Sequence, residues 1–255
     1  MTLHSAKGLE FKIVFIVGDF TGVIGDTSDK DSERPMLDKK TIDINKKTYL
    51  SQIGKILDLK KTEFRYNSEW LAKLKYAEIG EHADQFSVAD FIMRENIARR
   101  LKEGKRVSLR EVLYPLLQGY DSVAVNADVE LGGTDQKFNL LMGRKVQQKF
   151  NQPEQDVLTV PLLEGTDGIK KMSKTFNNYI GLAELPAKMF GSTMSIPDNV
   201  MGKYFELLTD VAPEEVSSFS PRDQKIKLAW EIVCFYHGRK AADKAKDEFI
   251  GIFSE

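Results

Sequence analysis

Cysteine is almost missing from this chain of 255 residues, with Cys234 its single example. One thiol excludes an internal disulfide and a cysteine zinc site, which fits a reducing cytoplasm. Long apolar runs are missing too, and the first residues lack the charged-then-apolar pattern of a signal peptide. The expectation is a soluble, cytoplasmic protein with no membrane partner. Surplus charge of either sign is also lacking: Lys+Arg is 37 against Asp+Glu 38. Composition therefore does not advertise nucleic acid, although a local basic patch is compatible with that balance. No Gly-x-x-x-x-Gly-Lys-Ser/Thr stretch occurs, which removes P-loop chemistry. There is no internal repeat and no low-complexity tract. The length is enough for one large domain or two small ones with a sizeable core.

What is present alternates. Residues 12–17 (KIVFIV) form a β-branched and aromatic run that predicts a buried parallel strand, ending in Gly18-Asp19. The loop after it is rich in Gly, Asp and Ser, and loops at that end of open α/β sheets bind ligands. Asp19 and Asp26 are placed there to meet a cation or a metal; equally, aspartates populate turns because they bond their own backbone. A helix is predicted over residues 41–57, a short strand over 63–66, and a helix from about Glu69 capped by Asn67 or Ser68. Residues 86–101 read as one amphipathic helix whose far side, with Arg94, Arg99, Arg100 and Lys102, is a solvated face or a partner surface. Ser108 and Glu111 stand in capping-box spacing at the start of the next helix.

The stretch from Tyr114 to Asn139 carries the chemistry. It predicts a helix, a short strand at residues 122–125, a tight Gly132-Gly133 turn and a new helix reaching about Phe150. Tyr114, Gln118 and Asp121 stand at i, i+4 and i+7, so one helix face presents a phenol, an amide and a carboxylate. The turn Gly132-Gly133-Thr134-Asp135-Gln136 brings backbone amides and polar side chains to a helix start, where an anion or a ribose can approach. Two readings fit: a small polar ligand held there, or a solvated helix face with glycines needed for geometry. A strand over residues 157–163 and a loop bearing Lys170, Lys171 and Lys174 follow, and then helices only, with Pro197, Pro213 and Pro221 near helix starts. The alternation predicts an α/β domain to about residue 165, with a helical insertion near 68–113, and a helical domain over 166–255.

The run Lys171-Met172-Ser173-Lys174-Thr175 resembles the second signature, the KMSKS loop, of class I aminoacyl-tRNA synthetases. The segments 18–26, 114–121 and 132–136 resemble the tyrosyl-tRNA synthetase family in order and spacing. So do 161–165, 178–181 and 194–198, and the helices near Pro221-Arg222-Asp223 and Tyr236-His237-Gly238. The resemblance implies a Rossmann-like parallel sheet, activation of tyrosine by ATP with Mg2+, transfer to tRNA(Tyr), and a homodimer contacting through residues 88–100. It further implies that Asp26, Tyr114 and Gln118 hold the α-ammonium of tyrosine, and that Asp121 accepts its phenolic proton. Asp135, Gly133 and Gln136 would serve the adenylate ribose and the tyrosine, beside Met172 and Ser173. Lys171 and Lys174 would neutralise the triphosphate as pyrophosphate leaves.

The sequence also departs from that pattern. The expectation is a chain without the family's His-x-Gly-His signature and its strand and helix ahead of the Lys12 run, and without the small RNA-binding module that the family carries after its helical domain. Residues 1–11, MTLHSAKGLEF, instead resemble a motif of DNA-unwinding helicases and carry His4. The expectation is a tyrosine–tRNA ligase with weakened activation and tRNA binding. The alternative is a non-catalytic tyrosine-binding or protein-interaction remnant.

Overall fold

The computed structural model describes residues 11–25, 36, 38–84 and 86–252. Asp26 and His4 lie outside the described residues. Two compact units divide between Pro161 and Leu162.

The first unit is α/β. β1 (Ile13–Val17) pairs in parallel with β2 (Thr62–Tyr66), in the register Ile13↔Thr62 to Val17↔Tyr66. Between them run α1 (Asp19–Ile24) and α2 (Lys39–Ile53), the latter capped by Asp38, whose carboxylate accepts the Thr41 amide at 2.7 Å. The short α3 (Ser68–Leu71), α4 (Tyr76–Ala83), α5 (Val88–Ile92) and α6 (Glu95–Lys102) lead to α7 (Leu109–Val125). β3 (Val129–Gly133), a single turn at Thr134–Gln136, α8 (Lys137–Lys149) and β4 (Asp156–Val160) complete it. β3 and β4 are again parallel, with Val129 opposite Asp156 and Gly133 opposite Val160. The described residues thus hold two separate two-stranded parallel pairs.

Several local expectations give way here. Residues 122–125 are helix and not strand. Their β-branched side chains are tolerated because Ser122 and Val123 are buried on the helix face already begun by Leu116 and Gly119. The helix stops at Asn126, whose φ of 49° is the left-handed conformation that ends helices, and the strand begins at Val129 instead. Gly132 and Gly133 consequently close a strand and do not form a turn. The strand expected at 157–163 is shorter, and one of its faces is open: Leu158 and Val160 are exposed, while Val157 and Thr159 are half-buried. The predicted helix over 86–101 is two helices, divided at Met93 and Arg94.

Arg94 and Arg100 are not on a solvated face; both are buried. Arg100 bonds Glu111 at 2.5 Å, with both side chains almost fully removed from water, and donates to the Arg106 carbonyl at 2.6 Å. Glu111 also accepts the Ser108 amide at 3.0 Å, so the predicted capping box becomes the end of a buried ionic network. α7 and α8 pack face to face, and glycines set their separation. A Cβ on Gly119 would sit 3.0 Å from Val146 Cγ2, and one on Gly143 would sit 2.5 Å from Ser122 Oγ.

The second unit is helical: α9 (Pro186–Met194), α10 (Asp198–Leu208), α11 (Pro213–Val216), α12 (Pro221–His237) and α13 (Arg239–Ile252). Pro197 is the N-cap of α10, and Pro213 and Pro221 open α11 and α12, where a missing amide proton costs nothing. Phe190, Ile196, Tyr204, Leu228 and Val233 form the centre of its core.

Candidate active site

The first unit builds a polar cluster where β1 and β2 end. Asn67 follows β2 directly, is fully buried, and joins three elements. Its Oδ1 accepts the Phe20 amide at 2.9 Å, while Nδ2 donates to Thr21 Oγ1 at 2.9 Å and to Asp121 Oδ2 at 3.2 Å. Trp70, one turn on, donates its indole N–H to Asp121 Oδ1 at 2.7 Å. Both carboxylate oxygens of Asp121 therefore have a neutral donor, and neither has a cation among these partners. With the residue 9% exposed, burial pushes its pKa up to about 7 against the pull of the Trp70 and Asn67 donors. Such a group is a strong hydrogen-bond acceptor near neutral pH, suited to an uncharged donor such as a phenol.

Asp19 turns out to be local architecture. Its Oδ1 accepts the Phe20 and Ser68 amides, each at 2.9 Å, and its Oδ2 accepts Ser68 Oγ at 2.8 Å. The turn reading of this aspartate holds, because its carboxylate fastens the start of α1 to the start of α3.

One turn before Asp121, Gln118 is half-buried. Its carbonyl oxygen Oε1 is buried and has no hydrogen-bond partner among the described residues. Tyr114 is half-buried one further turn back. Gln136 Oε1 accepts Asn139 Nδ2 at 2.9 Å, and Asp135 stands half-buried in the same single turn. Gly132 is closely packed: a Cβ there would lie 3.0 Å from Leu140 Cδ1 of α8, which would have to give by a few tenths of an ångström.

The lysine loop belongs to the second unit and is organised by Asn178, which is 3% exposed. Its Oδ1 accepts the Ser173 amide at 2.8 Å; its Nδ2 donates to Asp167 Oδ2 at 3.0 Å and to the Lys170 and Lys171 carbonyls, each at 3.2 Å. Lys171 pairs antiparallel with Glu164, and the Met172 amide donates to the Leu163 carbonyl at 2.8 Å, so the loop returns as a short hairpin. Met172 packs on the helical core. Lys174 is exposed and begins a one-turn helix capped by Ser173. Lys170 lies over the Phe176 ring at 4.8 Å.

Asn67 and Trp70 were not legible as site residues. The available signal was the position of Asn67 and Trp70 just past the carboxyl end of a parallel strand. Among the described residues no group of three or more His, Cys, Asp or Glu is arranged to hold a metal ion, and no helix is long and apolar enough to cross a membrane.

The chain is 49% identical to the tyrosine–tRNA ligase of Carboxydothermus hydrogenoformans over 99% of its own length and 64% of that protein. It is 46% identical to the enzyme of the same name from Thermotoga maritima, over 99% of this chain and 65% of that one. It thus spans just under two thirds of the length of these relatives. Among solved structures, a C-terminally truncated mitochondrial tyrosyl-tRNA synthetase of Coccidioides posadasii superposes with a TM-score of 0.71 at 21% identity, covering 96% of this chain and 76% of that one. A tyrosyl-tRNA synthetase complexed with L-tyrosine, from Archaeoglobus fulgidus, gives 0.68 at 20% identity, covering 96% and 84%. The model of the family described as tRNA synthetases class I (W and Y) matches residues 2–254, and the chain belongs to that family.

Proposed function

We propose that this chain carries the tyrosine-activating part of a tyrosine–tRNA ligase. The observation that carries the reading is the buried Asp121 carboxylate, held by the neutral donors Trp70 and Asn67, one turn from a Gln118 carbonyl without a hydrogen-bond partner among the described residues. A phenol is the neutral donor that suits the first, and an ammonium suits the second. Phenylalanine would leave Asp121 without its third donor, and an unpaired buried acceptor is what makes such a site selective; enzymes that activate tyrosine are themselves the standard illustration of that asymmetry.

In this reading Asp26, Tyr114 and Gln118 hold the α-ammonium, with Gln136 assisting, and Asp121 takes the phenol. The tyrosine carboxylate attacks the α-phosphate of ATP, the bond from that phosphorus to the bridging oxygen breaks, and pyrophosphate departs; Mg2+ bound to the nucleotide would screen its phosphate charge. Gly133 and Asp135 serve the ribose, alongside Met172 and Ser173. Lys171 and Lys174 offset the charge of the leaving pyrophosphate. Lysine suits that task as a compact charge on a long stem. A terminal hydroxyl of tRNA(Tyr) then displaces AMP from the tyrosyl carbonyl. A second copy of the chain is the further expected partner, supported by the exposed Val88 and Met93 on and beside α5. The cytoplasm is the expected compartment, supported by the single cysteine.

The test is tyrosine-dependent exchange of pyrophosphate into ATP by the purified chain, with the double substitution Lys171→Ala, Lys174→Ala as control. Exchange that the control abolishes supports activation. Tyrosine binding with no exchange supports the second reading, a tyrosine-binding module without chemistry. Neither binding nor exchange sinks both.

A further inference from the structure

The lysine loop meets α10 at two places. At its tip Gly168 has a φ of 65° and rests on Pro197, the N-cap of that helix; a Cβ on Gly168 would fall 2.6 Å from Pro197 Cγ. At its stem Glu164 meets the same helix roughly two turns further along. Lys203 Nζ donates to Glu164 Oε1 at 2.7 Å, and the Tyr204 hydroxyl donates to the Glu164 carbonyl at 2.7 Å. Tyr204 is fully buried in the helical core, which gives the second bond a fixed donor. Glu164 and Lys203 are half-buried. Glu164 Oε2 is buried without a hydrogen-bond partner among the described residues, so this carboxylate relies on Lys203.

Glu164 also stands across from Lys171. Their antiparallel bridge is framed by two backbone bonds, from the Gly165 amide to the Lys170 carbonyl and from the Met172 amide to the Leu163 carbonyl, each at 2.8 Å. Whatever holds Glu164 therefore holds the backbone on both sides of Lys171. An ion pair open to water adds little to the stability of a whole fold. It does act on a local equilibrium, the opening of one loop from the helix beneath it. A lysine offsets phosphate charge best when its backbone is set in advance. We propose that Lys203 is a positioning residue for the pyrophosphate chemistry: it acts through Glu164, and not on substrate, by keeping the lysine loop seated on α10. This rests on the activation reading of Lys171 and Lys174 given above.

The experiment follows the loop and the reaction separately in the full chain. Brief trypsin digestion, with the cuts after Lys170, Lys171 and Lys174 quantified by mass spectrometry, reports how often the loop leaves the helix, because cleavage follows the open population. Pyrophosphate exchange into ATP reports the reaction, and calorimetric titration reports tyrosine affinity. The proteins are wild type, Lys203→Met, Glu164→Ala, the double variant, Lys203→Arg, and Lys227→Met as a control that breaks the Lys227–Glu231 pair inside α12. Lys203→Met and Glu164→Ala should each raise loop cleavage about tenfold and lower the exchange rate by a similar factor, the scale of one charge-assisted hydrogen bond, with tyrosine affinity unchanged. The double variant should be no worse than either single one. Lys203→Arg should stay near wild type, and Lys227→Met should leave the loop as it was. Should Lys203→Met not fold, Glu164→Ala removes the same bond from its other side. Unchanged cleavage, effects that add in the double variant, a matching change in Lys227→Met, or tyrosine affinity falling as far as exchange would overturn the inference while leaving the activation reading intact. A wild-type chain without exchange overturns that reading, and this inference with it.

Discussion

The indole N–H of Trp70 donates to the Asp121 carboxylate at 2.7 Å, across a separation of 51 residues. Trp70 is itself held from outside by the Arg65 guanidinium, 5.3 Å from its ring, which in turn bonds Glu69 at 2.8 Å. The helix that supplies the carboxylate and the short helix that follows β2 are thus tied together at the point where the ligand would lie. The tie uses neutral donors on a buried charge, and that choice has a measurable consequence.

Asp121 titrates at about 7 in the folded protein against an ordinary aspartate value of 3.8. Between those two values the native state holds a proton that the unfolded chain has released, so stability from this group falls as pH rises. Its penalty is absent well below the unfolded value and complete above the folded one, reaching on the order of 4 kcal/mol at most. Asp121→Asn removes the titration. The amide it introduces would meet the Asn67 Nδ2 donor, so the slope is a better readout than absolute stability. Urea unfolding of both proteins should show wild type losing stability relative to Asp121→Asn between about pH 4 and pH 7. Parallel pH profiles would mean that Asp121 ionises without penalty.

Arg100 and Glu111 form the most deeply buried ion pair among the described residues, at 1% and 0% side-chain exposure. Removing one partner leaves the other charged in a site without water, which costs about 3–5 kcal/mol. Arg100→Met and Glu111→Gln should each be destabilised on that scale. The pair Arg100→Met, Glu111→Leu should recover much of the loss, since two apolar groups need no partner. Thermal denaturation of the three variants reads this directly, and additive losses would show that the two residues act separately.

Gly143 and Gly191 make a matched contrast. An alanine at 143 meets Ser122 Oγ and Gln155 Nε2 within 2.6 Å, whereas one at 191 meets nothing within 4 Å. Overpacking costs about 1–3 kcal/mol, and relieving a helical glycine gains about 0.5–1 kcal/mol. Gly143→Ala is expected to lower the melting temperature and Gly191→Ala to raise it. Two shifts of the same sign would mean that helix propensity outweighs packing at 143.

The sequence was most readable where a local rule met a local need. Ser108 and Glu111 were legible as a capping box because both ends of that motif lie within one turn. β1 was legible from its β-branched and aromatic run, and β2 as a short strand over residues 63–66. Residues 122–125 were not: propensity favoured a strand there, and burial against α8 kept the helix going to Asn126. Arg100 looked like a surface charge because its partner Glu111 belongs to another helix, and only the fold brings them together. The tyrosine-facing candidates Tyr114, Gln118 and Asp121 were visible as a helical stripe. Asn67 and Trp70 reach Asp121 across 54 and 51 residues, and Glu130 of the following strand accepts Ser122 Oγ. Short-range periodicity carries no trace of such bonds.

The lysine loop offers a separate test, because one buried side chain shapes it. Asn178 accepts the Ser173 amide and donates to Asp167, Lys170 and Lys171, so it spans the chain on both sides of Met172. Gly165 makes room for it, since a Cβ there would fall 2.2 Å from Asn178 Cγ. Asn178→Ala removes these four hydrogen bonds from a loop whose lysines are the proposed partners of pyrophosphate, while leaving every residue of the first unit in place. Each buried bond lost costs about 1 kcal/mol before any relaxation of the loop. The expected result is unaltered affinity for tyrosine with a rate of ATP–pyrophosphate exchange reduced at least about tenfold, since positioned charge contributes most when it is held in advance. Asn178→Asp should do no better: its carboxylate cannot donate to the two lysine carbonyls and would face Asp167. Tyrosine titration beside exchange kinetics separates the cases. A loss of tyrosine affinity equal to the loss of exchange would mean that Asn178 supports the whole protein and not the loop.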